Sequence, residues 1–210
     1  MSIVGIASVP QPPLLLPGRT GDGVAEVEEL RAACLEAIDA MTASEPELIV
    51  LVGQRRPVEV GDELAVQVGL SLLQAADVAA PVERLLLPAN AEPAACVAAG
   101  RTLAARDGRV GLLVLADGSA CRTLKAPGYL DERAQPFDGQ LTDALQACDA
   151  ATVAALDPGL AAELLVAGRV GWQILAGVWQ AGPEQGWVAT THYLGDPFGV
   201  WYPALSYRPA

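Results

Sequence analysis

Within thirteen positions the chain places Asp117, Ser119, Cys121, Arg122, Lys125 and Tyr129, in the stretch DGSACRTLKAPGY. Two cations with a phenol and a hydroxyl to orient a ligand are the side chains that receive a carboxylate, a phosphate or a phenolate. A cysteine beside Arg122 and near Lys125 is also placed for a lowered thiol pKa and nucleophilic chemistry, with Asp117 as a second catalytic candidate. The same residues have a plainer reading. Arg122 and Lys125 can pair with Asp131, Glu132 or Asp138 on a solvated loop. Asp117-Gly118-Ser119 can be a turn with capping side chains. Cys121, with no histidine base in its segment, can be inert.

The elements that must position this cluster are legible from periodicity. The run VGLLVLA (110–116) is a buried strand that stops at Asp-Gly-Ser, and ligand chemistry collects at such carboxyl ends in α/β proteins. Further strands are expected at 3–9, at 48–52 (ended by Gly53), at 83–87, and near the carboxyl terminus at 187–193 and 200–207. Apolar spacing predicts helices over 24–41, 93–106, 137–147 and 171–179, and Asp157-Pro158 opens another over 159–167. Residues 64–75 suit strand or helix. The alternation predicts a single three-layer α/β domain over 1–210, with a central mixed, largely parallel sheet flanked by helices. Gln11, in VPQPPLLLP, and Arg55, in VGQRRPV, each follow a strand and are candidate ligand-binding residues beside Ser119, Cys121, Arg122, Lys125 and Tyr129. Each also has a structural reading: prolines ending a strand, and for residues 53–56 a solvated turn.

VPQPPLLLP (9–17), the Asp117–Asp138 stretch and GDPFGVWY (195–202) occur in the order of the LigB-type class III extradiol dioxygenase superfamily, and the chain resembles its small actinobacterial branch along nearly its whole length. The resemblance implies an α/β fold with a pocket that, in active members, holds Fe(II) on two histidines and a carboxylate, the facial set that leaves positions open for substrate and oxygen. It also implies where this chain departs. The two ligand histidines fall on Gln11 and Arg55, the acid/base histidine on Cys121, and the glutamate near Val166, with Glu163 one turn away. The chain has one histidine, His192. An amide oxygen is a weak neutral ligand and a guanidinium cannot ligate a cation. The expectation is a lost Fe(II) site, no metal cofactor, and a retained cleft for a small anionic or phenolic molecule. The alternatives are an oxidoreductase with a non-standard metal site, drawing its ligands from another chain or from Glu163, His192 and Asp residues, and an enzyme with replaced chemistry at Cys121, Asp117 and the nearby cations.

Composition narrows the partners. The 210 residues carry a net charge of -12, which disfavours nucleic acid and anionic membrane surfaces, both of which need clustered Lys and Arg. No apolar run approaches the roughly 18 residues of a membrane span, and the first residues lack the basic region of a signal peptide. Cys34, Cys96, Cys121 and Cys148 are scattered without CxxC spacing, so neither a zinc ribbon nor a thioredoxin motif is supported. Reduced thiols in a cytoplasmic protein are expected, with a homo-oligomer left open. No P-loop, dinucleotide-binding glycine fingerprint or nucleophile elbow is present.

Overall fold

The central strands are apolar on both faces, and this dictates the layering. In the computed structural model, which describes residues 3–19, 23–55 and 62–210 (62–64 by backbone only), β4 (Val110–Leu115) has all six residues buried. Successive side chains of a strand point to opposite faces. Val110, Leu112 and Val114 therefore enter one core, while Leu113 and Leu115 enter the other. β1 (Ile3–Val9) and β2 (Leu48–Arg55) divide in the same way. A sheet apolar on both faces needs helices on both sides.

The strand order is β3-β2-β4-β1-β6-β5, with β3 at Val82–Pro88, β5 at Trp187–Gly195 and β6 at Tyr202–Pro209. β1, β2, β3 and β4 pair in parallel, and β6 runs antiparallel to both β1 and β5. The sheet is mixed and mostly parallel, as the alternating pattern predicts. α1 (Ala25–Thr42) and α2 (Asp62–Ala75) pack in the core on one face. α3 (Pro93–Ala104), α4 (Ala134–Gln146), α5 (Ala150–Ala154), α6 (Pro158–Glu163) and α7 (Arg169–Gln180) belong to the other.

Two local expectations are corrected and one left open is decided. The second strand continues past Gly53, because Gly53, Gln54 and Arg55 find ladder partners in Leu86, Leu87 and Pro88. Arg56 of the 53–56 segment lies outside the described residues. Residues 64–75 form part of helix α2, whose length exceeds that of a typical buried strand. The helix expected over 159–167 ends at Glu163, where Leu165 turns the backbone left-handed at φ 54°. The short α5 escaped notice, although Asp149 caps it by accepting from the Ala151 and Thr152 amides.

α7 governs the second layer. Every residue from Arg169 to Trp179 is buried, with α3 and α5 packed on it and the sheet beneath. The α3–α7 crossing is close because it is built on glycine: a Cβ at Gly100 would strike the Ile174 carbonyl, and one at Gly177 the Val97 carbonyl. Trp172 anchors the helix to β1 by donating its indole N–H to Ser8 Oγ at 3.1 Å. Gly100→Ala is expected to lower the unfolding free energy by about 1–3 kcal/mol in urea titrations, the usual cost of overpacking. Gly139→Ala, in α4 with open space around the added carbon, should raise it by about 0.5–1 kcal/mol.

Candidate functional site

Four parallel strands deliver their carboxyl ends to one side of the sheet, and β6, running the other way, starts there. Gln11 follows β1, Gln54 is next to last in β2, Ala89 follows β3, Asp117 follows β4, Val200 precedes β6 and Tyr202 begins it. These residues and the segment from Pro158 to Arg169 enclose a cavity of about 550 Å³. Its α6 side is apolar, made by Pro127, Pro158, Ala161, Ala162, Leu165 and Val166. Its polar groups are few, which is the usual make-up of a small-molecule pocket.

Those polar groups are fixed by contacts between elements. The Gln11 backbone N–H donates to Asp117 Oδ1 at 2.8 Å, tying the ends of β1 and β4. The Gln11 side chain donates from Nε2 to the Ala167 carbonyl at 2.9 Å, which leaves its amide oxygen as an acceptor. Tyr202 lines the same space, and burial followed by the charge of Asp117 pushes its phenol well above the ordinary range, so it stays a neutral donor.

Arg169 is the unusual member. Only 3% exposed, it begins α7 and reaches the cavity wall. Its Nη1 donates to Gln173 Oε1 at 2.7 Å, and its Nη2 donates to the carbonyls of Ala89 at 2.7 Å and Ala91 at 3.0 Å. Gln173 is itself held by donating to the Ala154 and Leu156 carbonyls. All these partners are neutral. Among the described residues no carboxylate lies within ion-pair distance of this guanidinium, whereas Arg31, Arg106, Arg122 and Arg133 each have one. A guanidinium has five N–H donors and three are taken, so two remain.

The residues expected from sequence divide sharply. Gln11 and Asp117 line the cavity; the other six candidates are not among its described lining residues. Ser119 is buried with Oγ donating to Asp138 Oδ2 at 2.5 Å and its N–H to Oδ1 at 3.0 Å, a tie between the loop and α4. Arg122 pairs with Asp196 at 2.9 Å and lies 3.6 Å from Asp138. Cys121 Sγ lies 3.5 Å from the Leu164 carbonyl, and burial, then Asp131 and Asp138, push its thiol up. That is the reverse of a nucleophilic cysteine. Lys125 and Tyr129 are exposed, and Arg55 points outward with Nη2 donating to the Leu86 carbonyl at 3.3 Å. Of the expected convergence of Gln11, Arg55 and Ser119–Cys121 in one cavity, Gln11 and Ala120 line it, while Arg55, Ser119 and Cys121 are not among its described lining residues. They share one end of the sheet, but backbone acceptors and a carboxylate hold the Arg55, Ser119 and Cys121 side chains.

The iron positions implied by the resemblance do not reassemble. Val166 lines the cavity, but Glu163 is exposed and paired with Arg133 at 2.6 Å. His192 sits on β5, bonded to Ser206 Oγ at 2.9 Å and 3.4 Å from Glu36. Among the described residues no group of three or more His, Cys, Asp or Glu side chains is placed to hold a metal ion. The described cavity residues offer one carboxylate, amides and a guanidinium, a donor set that does not fit Fe(II).

Sequence reasoning missed Arg169, Gln54 and Tyr202. Arg169 had a readable signal: it is the one charged residue in RVGWQILAGVWQ, and a lone charge at the head of an apolar helix is either buried or placed for a ligand. No family model and no curated protein matches the chain. Among solved structures it is similar to the crystal structure of the uncharacterized protein JW3007 from Escherichia coli K12, at 14% identity and TM-score 0.55, over 98% of this chain and 99% of that one. This likeness shows a shared fold. No helix of the described residues is long and apolar enough to cross a membrane.

The buried Asp138 gives the site's surroundings a pH signature. Desolvation raises its carboxyl above the ordinary value, opposed by the Ser119 bonds and Arg122. A raised folded-state pKa favours the protonated form, so this contribution to stability is complete below the unfolded pKa and is lost as pH rises through the folded one. Against wild type, Asp138→Asn should lack this loss of unfolding free energy above about pH 4 in denaturant titrations across pH.

Proposed function

We propose that this chain is a class III extradiol dioxygenase-like protein that has kept the cleft and lost the iron, and that the cleft binds a small molecule carrying one anionic or phenolic group. One observation carries the reading: a buried guanidinium with no carboxylate within ion-pair distance among the described residues borders a cavity whose α6 side is apolar. Burying a charge without a counter-charge is costly. A ligand anion supplies that counter-charge, and the remaining N–H donors, one on Nε and one on Nη1, can each donate to an oxygen of it. Gln11 Oε1 and the Tyr202 hydroxyl provide an acceptor and a donor beside it.

On this reading the anion sits at Arg169 and not at Arg55, Arg122 or Lys125, whose positions face other acceptors or solvent. The reading assigns no cofactor, no nucleic acid and no catalytic group, and it treats Cys121 as structural.

Calorimetry with benzoate and phenyl phosphate tests it. A charge-assisted hydrogen bond contributes on the order of 1.5–3 kcal/mol, so Arg169→Gln should weaken binding by about tenfold or more. Arg169→Lys, which keeps charge but loses the planar fork, should fall in between. Arg55→Ala and Arg122→Ala should bind within about twofold of wild type. Purified protein should contain no stoichiometric iron by metal analysis and should take up no oxygen with catechol or protocatechuate. Wild type that binds no anion, or Arg169→Gln that binds as well as wild type, would remove the reading.

A further inference from the structure

Five non-glycine residues among those described hold left-handed backbone: Glu45, Asp77, Tyr129, Cys148 and Leu165. Two of them, Tyr129 and Leu165, are large, apolar and exposed, at 61% and 49%. Neither type favours this region, where Cβ crowds the following carbonyl. Leu165 stands where a helix ending of its kind normally has glycine. The Leu165 N–H donates to the Ala162 carbonyl at 3.2 Å and the Val166 N–H to the Ala161 carbonyl at 2.8 Å, the paired bonds of a Schellman motif. A strained bulky residue that gains little burial in return points to a role outside folding.

The two residues lie on adjoining segments. A Cβ on Gly128 would come within 2.8 Å of Leu165 Cδ1, so the Leu165 side chain lies against the glycine that precedes Tyr129. Leu130, 46% exposed, follows directly. Leu165 and Pro127 also line the cavity that Arg169 borders. Leu165 is thus cavity wall on one side and exposed surface on the other.

We infer that Tyr129 and Leu165 form an apolar collar at the cavity mouth, and that the ligand is an amphipathic anion whose acidic head meets Arg169 and whose hydrocarbon body runs along the proline and alanine wall to the collar. This rests on the reading of the cavity as an anion site and adds the ligand's class. The occupant is the ligand's own apolar body because the collar is continuous with the cavity wall and the wall between collar and guanidinium has no polar side chain along Pro158, Ala161 and Ala162.

The test compares acetate, benzoate, 4-phenylbutyrate and octanoate by calorimetry on wild type, Tyr129→Gly, Leu165→Gly and Leu165→Asn, with thermal unfolding of each. Several additional buried methylenes should make wild type bind 4-phenylbutyrate and octanoate at least about tenfold more tightly than acetate. In the three variants that advantage should shrink to about threefold or less, while acetate affinity stays within about twofold. Glycine and asparagine both accept the left-handed region, so melting temperatures should hold or rise. Variants that keep the chain-length advantage, or lose melting temperature, would overturn the collar. Benzoate binding that depends on Arg169 but shows no chain-length effect sinks the collar alone. Wild type that binds none of the four sinks the anion site with it.

Discussion

A guanidinium taken out of water must be met by acceptors on nearly every N–H or by a counter-charge, and Arg169 is met by neither in full. Its three hydrogen bonds run to Gln173 and to the carbonyls of Ala89 and Ala91 after β3. They hold the start of α7 against the carboxyl end of the sheet. The arginine cannot swing away to solvent, because the helix behind it is buried along its length and its crossing with α3 is closed by Gly100 and Gly177. Even the residue before it is fixed, since a Cβ at Gly168 would collide with the Trp172 ring and the Asp117 carbonyl. The packing of one helix thus decides that a positive charge stays at the cavity.

The polar cluster after β4 does different work. Asp117 takes the Gln11 amide, Ser119 and Arg122 meet Asp138, and Arg122 reaches Asp196. These contacts join the β1, β4 and β5–β6 loops to α4. The loop backbone joins in: the Gly118 amide donates to the Trp201 carbonyl, the Trp201 amide to Ser119, and the Arg122 amide to Gly199. Such a network, with its partners in place, gives a loop region one conformation. It shapes the cavity rim, and of its charged members only Asp117 is among the described lining residues.

The fold was legible because the strands carry it. Runs such as VGLLVLA and LIVLV are too apolar for any place but the middle of a covered sheet, and their spacing by helices implies parallel pairing. The site was legible only as an address, the carboxyl ends of those strands. Which side chains turn inward depended on partners far away in sequence: Asp196 draws Arg122, Asp138 draws Ser119, and the β3 carbonyl of Leu86 draws Arg55. Local pattern has no access to such pairings. Arg169 was passed over for the opposite reason. Its neighbours are uniformly apolar, so the segment reads as core, and the charge at its head is the single residue that departs from that pattern.

The account stands on where an anion sits. A crystal structure of the protein saturated with 4-phenylbutyrate tests this most directly. The account predicts the carboxylate oxygens within about 3 Å of the Arg169 guanidinium, with the chain along α6 toward Leu165. A carboxylate found on Arg122 or Arg55, or a ligand bound away from the cavity, would contradict it.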